Sequence, residues 1–258
     1  MPVVILCGGQ GTRMKGETST KKEMVEVGGR PIIWHVMKIF AAYGHSEFIL
    51  TLGYEGEVLK RYFLEYEMMQ RDFTVRLGDS GGVAYHGSSA GEDWHVTLAN
   101  TGLLTNKGGR IARVAPYIAG RTFFVTYGDG VGNLDIDALL AFHRRHGKLA
   151  TVTGVKARWQ YGLLDANADG QVTHFEQKPR LEHWINGGFM VFEPGVLDYL
   201  DGDAAHLERD TMVRLAAEGQ LMMYRHAGFW RSMDTFKEAQ ELDAIWHESA
   251  PWKVWQDQ

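Results

Sequence analysis

Val3-Val4-Ile5-Leu6-Cys7 is an unbroken apolar run that ends on a glycine pair, Gly8-Gly9. A strand that is apolar at every position, rather than at alternate ones, has to be buried on both faces. That condition is met in parallel sheets covered by helices on both sides. Residues 48–52, 123–127, 150–155 and 188–192 are four more runs of this kind. Between the first two, Ile32, Val36, Ile39, Phe40 and Tyr43 fall on one helical face, and Pro31 suits a first turn. Val58, Leu59, Tyr62, Phe63 and Tyr66 make a second such face, and residues 135–143 a third. Strands alternating with helices predict crossover units, an α/β class and a largely parallel sheet. Residues 72–110 depart from this rhythm. They carry eight glycines and the alternating stretch Trp94-His95-Val96-Thr97-Leu98, which reads as antiparallel strands and loops in a β-rich insertion. The whole of 1–258 is expected to form one domain, because no Pro- or Ser-rich linker or repeat interrupts it.

Glycine supplies 31 of 258 residues, about 12% against the usual ~7%, so the position of these glycines matters. The first cluster is Gly8-Gly9-Gln10-Gly11-Thr12-Arg13, directly after the first strand. Ligands of open α/β sheets sit at the carboxyl ends of strands, and glycines let backbone N–H groups approach a phosphate. Neither common phosphate loop fits. Met14 stands where a dinucleotide fingerprint needs its last glycine, and Glu17 where a P-loop needs lysine. A plain strand-to-helix turn stays open as the alternative for the glycines alone.

Three further positions carry chemistry or a simple structural role. Asp129, between Gly128 and Gly130, ends the aromatic strand after Tyr127 and is either a cation ligand or part of a turn. Asp234 precedes Thr235 and Glu238, a capping box, so its local reading is favourable charge at a helix N-terminus. Lys178 before a proline, and Asn186 before Gly187-Gly188, look like substrate contacts, although each is an ordinary loop residue in isolation.

Other chemistries find little support. The net charge is −5, from 27 basic and 32 acidic residues, which argues against nucleic acid as a partner. A single cysteine, Cys7, excludes a disulfide scaffold or a thiolate cluster. Eleven histidines show no metal-binding spacing, and no Gly-x-Ser-x-Gly elbow occurs. The run at residues 2–7 is too short for a membrane span or a signal core, so a cytoplasmic protein is expected.

Taken together, Gly8 to Arg13, Met24-Val25-Glu26-Val27-Gly28-Gly29-Arg30-Pro31-Ile32, Trp34-His35-Val36-Met37-Lys38, Gly108-Gly109-Arg110 and Thr126 to Val131 resemble the sugar-1-phosphate nucleotidyltransferase family. Tyr161-Gly162, Lys178-Pro179, Asn186 to Phe189, Gly228-Phe229-Trp230 and Met233-Asp234-Thr235 continue the resemblance in the same order, to about residue 240. The resemblance implies a Rossmann-like, mostly parallel mixed sheet of the GT-A-like kind. It also implies the reaction NTP plus sugar 1-phosphate to NDP-sugar plus pyrophosphate. Likeness to the cytidylyl-transferring branch puts CTP and glucose 1-phosphate first; UTP or dTTP use, or a non-catalytic nucleotide- or sugar-phosphate-binding paralogue, are the alternatives. By the same resemblance Arg13, Lys22, Asp129 and Asp234 are the catalytic set, with Asp129 and Asp234 holding Mg²⁺. Leu6, Gly8, Gly9, Gly11, Thr12, Arg13, Arg110 and Gly128 would bind nucleotide, Arg110 from the insertion and near a subunit boundary. Tyr127, Gly162, Lys178, Asn186 and Gly187 would bind the sugar phosphate.

The sequence also departs from the family. Lys21-Lys22-Glu23-Met24 replaces Lys-Pro-Met; register favours Lys22 over Lys21 as the phosphate-binding lysine. Glu23 then reads as an unhelpful negative charge, and Glu23→Pro is expected to keep or raise activity. Gln177 stands where a glutamate precedes the family's lysine. Trp246, Trp252 and Trp255, in the helix and tail of about 235–258, suggest burial against something. A homo-oligomer is expected, with this tail or the insertion between chains; docking of the tail on its own subunit is the alternative.

Overall fold

Seven strands form one twisted sheet, and the chain visits them in an order that leaves the glycine-rich ends of two neighbours side by side. The architecture is taken from a computed structural model that describes residues 1–9, 21–78, 81–87, 91–156, 161–177 and 183–256. β1 (Pro2–Cys7) leads through a short ribbon, β2 (Glu26–Val27) and β3 (Arg30–Pro31), to α1 (Ile32–Ala41) and β4 (Glu47–Leu52). α2 (Gly56–Leu64) and α3 (Tyr66–Gln70) precede a hairpin, β5 (Phe73–Arg76) and β6 (Gly82–Tyr85), and then β7 (His95–Asn100). α4 (Lys107–Arg113) and α5 (Ala115–Ile118) lead into β8 (Phe123–Tyr127). The three-residue β9 (Gly130–Gly132), α6 (Ile136–His146) and β10 (Ala150–Val155) follow. A second ribbon, β11 (Gly162–Ala166) and β12 (Val172–Gln177), comes before β13 (Ile185–Phe192). A π-helical turn (Leu207–Thr211) runs into α7 (Met212–Ala217), then β14 (Leu221–His226), β15 (Trp230–Ser232) and α8 (Phe236–Glu248).

The strand order is β14-β10-β13-β8-β1-β4-β7, parallel throughout except for β13, which runs against both neighbours. β1 shows why its sequence is apolar at every position. Val3, Ile5 and Cys7 join one core layer, with α1 and α6, while Val4 and Leu6 join the other, with α4 and α7. The three helical faces read from the sequence correspond to α1, α2 with α3, and α6. Asp135 caps α6 by accepting from the Ala138 N–H at 2.8 Å. No helix of the described residues is long and apolar enough to cross a membrane.

Two expectations are corrected. The stretch around Val96 is not an antiparallel insertion strand: β7 pairs parallel with β4 as the edge of the main sheet. Alternation marks a half-exposed strand, and an edge strand is half exposed whatever its direction. Within residues 72–110 the antiparallel pairing is that of the β5–β6 hairpin, and residues 107–110 are helical.

The second correction concerns the tail. Trp252 is completely buried in its own chain, stacked on Phe229 with ring centroids 5.5 Å apart, and Trp246 and Trp255 pack beside it. These indoles enclose His35, itself fully buried on α1. His35 Nε2 lies 2.7 Å from the Val27 carbonyl, and the Trp252 indole N–H donates to His35 Nδ1 at 3.3 Å. A carbonyl can only accept and an indole N–H can only donate, so the imidazole must be the neutral Nε2–H tautomer. Burial accordingly pushes its pKa from 6.5 down to about 4.

Burial depresses His45, His143, His146 and His226 in the same sense. The unfolded chain therefore binds more protons than the folded one between pH 6.5 and about 4, and stability falls as pH drops through that window. His35 alone accounts for a loss on the order of 3 kcal/mol. Denaturant titrations at pH 7, 5.5 and 4.5 should show the decline, and a flat profile would contradict the neutral buried imidazole.

Candidate active site

The site grows from the carboxyl ends of β1 and β8, whose register sets Leu6 beside Tyr127. Directly beyond, the Gly128 N–H donates to the Leu6 carbonyl at 3.3 Å, so the two glycine segments emerge together. Gly8 is held from beneath by Arg110. That guanidinium is only 5% exposed, and it donates to the carbonyls of Gly8 and Leu52 at 3.1 Å, Gly102 at 2.8 Å and the Thr101 hydroxyl at 2.7 Å. A β-carbon on Gly8 would collide with it and force the guanidinium to shift. Arg110 thus lies on α4, a correction to its expected place in a β-rich insertion. Burial lowers its pKa, and among the described residues its protons go to neutral oxygens.

Asp129 follows Gly128, and β9 carries the chain on to pair antiparallel with β15. This pairing, with the Met233 N–H donating to the Asp129 carbonyl at 2.9 Å, brings Asp234 alongside Asp129 across about a hundred residues. The capping box before α8 is present: Thr235 Oγ1 accepts from the Glu238 N–H, and Glu238 Oε2 accepts from the N–H groups of Asp234 and Thr235. Thr235 and Glu238 do the capping. The Asp234 carboxylate turns instead to Lys22, whose Nζ lies 2.7 Å from it and 2.6 Å from Asp129.

That ammonium is the observation by which a divalent cation can be tested here. Two carboxylates converge on one cationic point within 2.7 Å, and hard oxygen ligands suit Mg²⁺, which takes one or two protein carboxylates plus phosphate oxygens. The donor set fits. Burial by itself would push the Lys22 pKa down, but the Asp129 and Asp234 charges more than reverse this and leave it raised.

The neighbouring lysine points elsewhere. Lys21, 4% exposed, donates to the Tyr54 carbonyl at 2.8 Å and lies 3.3 Å from Glu23 Oε2, itself on a residue 7% exposed. The contact is an ion pair by distance but too poorly aligned to count as a hydrogen bond. Burial raises the Glu23 pKa, against the Lys21 charge. The geometry distinguishes the two lysines in favour of Lys22 at the carboxylates. It also corrects the reading of Glu23, which serves as the buried partner of Lys21.

On the sugar side, Tyr127 and Asn186 meet because β13 runs antiparallel and starts at the edge where β8 ends. Asn186 Nδ2 donates to the Tyr127 hydroxyl at 3.3 Å. Gly188 adopts φ +81°, and a side chain there would strike the Tyr127 ring. The Gly187 carbonyl accepts from the Trp230 indole at 2.8 Å, tying this segment to β15. Gly9 is exposed. Gly162 opens β11 on the separate ribbon, opposite Gln177. Gly11, Thr12, Arg13 and Lys178 lie outside the described residues. Sequence reasoning missed Lys107 and Glu208, which reach Tyr127 from α4 and the π-helical turn. Neither stands in a motif that could have marked it.

A glycine loop, two converging carboxylates and a lysine on the carboxyl edge of such a sheet are the equipment of a phosphoryl-handling transferase. The chain belongs to the nucleotidyl transferase family, whose model matches residues 2–244. Among its relatives, the glucose-1-phosphate cytidylyltransferase of Salmonella typhimurium is 44% identical over 99% of this chain and 100% of that protein. The mannose-1-phosphate guanylyltransferase catalytic subunit beta of Xenopus tropicalis is 28% identical over 92% of this chain and 62% of its own length. The crystal structure of HddC from Yersinia pseudotuberculosis shares the fold, with a TM-score of 0.68 and 19% identity over 95% of this chain and 99% of that one. Members of the family generally use a divalent metal.

Breaking a buried ion pair from one side leaves an unpaired charge and costs about 3–5 kcal/mol. Lys21→Met and Glu23→Pro should therefore both melt well below the parent. Lys22→Met should cost less stability, since water still reaches Asp129 and Asp234, yet lose nearly all turnover. Calorimetry alongside a turnover assay checks this, and the opposite ranking of the lysines would reverse their assignment.

Proposed function

We propose that this chain makes CDP-glucose and pyrophosphate from CTP and glucose 1-phosphate. The observation that carries the reading is the convergence of Asp129 and Asp234 on Lys22 beside the Gly8 and Gly128 segments, in a chain alignable end to end with a glucose-1-phosphate cytidylyltransferase. An oxygen of the sugar phosphate attacks the α-phosphorus in line. One P–O bond forms, the bond to the β-phosphate oxygen breaks, and pyrophosphate leaves with its electron pair. No covalent enzyme intermediate is required, so catalysis consists of positioning and charge neutralisation.

Each residue then has a stated task. Leu6, Gly8, Gly9, Gly11, Thr12 and Gly128 hold the nucleotide, and Arg110 holds Gly8. Arg13 and Lys22 take the phosphates; the long stem of Lys22 lets its ammonium exchange carboxylate oxygens for phosphate oxygens. Asp129 and Asp234 hold Mg²⁺, which supplies Lewis-acid neutralisation of the phosphate charge when bound. Lys178 takes the sugar phosphate, and Tyr127, Gly162, Asn186 and Gly187 line the sugar.

The same reading makes residues 1–258 one cytoplasmic catalytic domain that assembles as a homo-oligomer. The β5–β6 hairpin is the candidate surface, because Phe73, Val75, Val83 and Tyr85 are exposed on it, whereas Trp252 is taken up internally.

Incubation of the protein with CTP, glucose 1-phosphate and Mg²⁺ should release pyrophosphate and a mass corresponding to CDP-glucose, with CTP preferred over UTP, dTTP and GTP. Chelation of the metal, Asp129→Ala or Asp234→Ala should abolish release while circular dichroism stays unchanged. Nucleotide binding without turnover in the parent protein would favour the non-catalytic alternative. Light scattering at micromolar concentration tests assembly, and a monomer would reject it.

A further inference from the structure

Beside the proposed sugar contacts lies a chain of hydrogen bonds in which every direction is forced. The Gly188 N–H donates to Asn186 Oδ1 at 2.9 Å. Asn186 Nδ2 donates to the Tyr127 hydroxyl at 3.3 Å, and that hydroxyl donates to Glu208 Oε1 at 2.7 Å. Lys107 donates to the same carboxylate oxygen and also sits 4.7 Å from the centre of the Tyr127 ring. Burial would push the Glu208 pKa up, but Lys107 and Tyr127 outweigh it and hold the carboxyl below its ordinary value. Burial and then the Glu208 charge push the Tyr127 phenol well up.

The polarity follows from the inventory of donors and acceptors. An ionised carboxylate can only accept, so the phenol proton is committed to Glu208. The phenol oxygen must then accept from Asn186, which places Nδ2 on that side. The Gly188 N–H can only donate, which places Oδ1 on the other. Both ends of the amide are thereby fixed, and Asn186 has its second Nδ2–H and the other Oδ1 lone pair left to offer outward. Two unrelated elements are held together to make this possible. The start of α4 is clamped to the segment before Glu208, with the Asn106 N–H donating to the Asp203 carbonyl at 2.9 Å and Asn106 Nδ2 to the Ala204 carbonyl at 3.0 Å. Glu208 itself rides on a π-helical turn, a distortion found disproportionately at functional sites.

We propose that Lys107 and Glu208 are positioning residues that commit the Tyr127 proton and so hold the Asn186 amide against the Tyr127 hydroxyl, in place to meet one pyranose oxygen of the sugar. This rests on the sugar phosphate binding at Asn186, as set out under the proposed function. Glu208→Gln keeps the size but gives Tyr127 a partner that can donate as well as accept, so the phenol proton is no longer committed away from Asn186 and the amide loses its anchor.

Initial-rate kinetics with CTP and glucose 1-phosphate test the proposal. Glu208→Gln should raise the KM for glucose 1-phosphate about tenfold, the equivalent of one lost hydrogen bond, with the KM for CTP unchanged. Tyr127→Phe removes the acceptor for Asn186 and should give the same split. The double variant should be no worse than either single, because both break one relay. An unchanged sugar KM in a folded Glu208→Gln, equal rises in both KM values, or multiplicative effects in the double variant would overturn it. Absence of turnover in the parent protein would instead reject the proposed reaction, and is read separately.

Discussion

Two carboxylates aimed at one point repel each other unless a cation stands between them, and the carboxyl edge of this sheet is organised around that condition. Asp129 arrives from the end of β8, and Asp234 from the turn into α8. The β9–β15 pairing holds them side by side even though neither strand is longer than three residues. Lys22 supplies the charge from a third direction, on a single 3₁₀ turn. The Lys22 ammonium between them thus limits the repulsion in the free protein. Its immediate neighbour Lys21 is committed to Glu23 and the Tyr54 carbonyl, so adjacent lysines have separate duties, one structural and one at the site.

Arg110 meets a related electrostatic problem in another way. A guanidinium at 5% exposure has its charge spread over neutral oxygens from three chain segments. Because those oxygens belong to Gly8, to the end of β4 and to residues 101–102, the arginine fixes the level of the glycine loop relative to the sheet. The glycine at position 8 and the arginine at position 110 are therefore one feature, since a β-carbon on the first would displace the second.

The parts that could be read from the sequence are those set by local rules. The doubly buried strands, the three helical faces and the Thr235–Glu238 cap depend on neighbours within a few residues, and periodicity exposes them. The direction of β7 was hidden because alternation records exposure and not polarity. The meeting of Asp129 with Asp234 was legible through the family resemblance and not through local pattern: Gly130-Val131-Gly132 has no strand signature, and local sequence assigned Asp234 to the helix end. The role of Glu23 depended on which way Lys21 turned. Glu208 was invisible because its relation to Tyr127 arises from packing between α4 and a π-helical turn, far apart in sequence.

The His35 cage sets an order of events for folding. α1 is made early, yet its imidazole is covered by Trp252, a contact that closes across 217 residues. Contacts between distant positions form late because the chain must first surrender the entropy of so large a loop. Until then Trp34 and His35 lack the indoles that cover them, and a nascent chain at that stage exposes an aromatic surface. The closing of the C-terminal segment is thus the step that covers this surface, and indole fluorescence offers a direct clock for it.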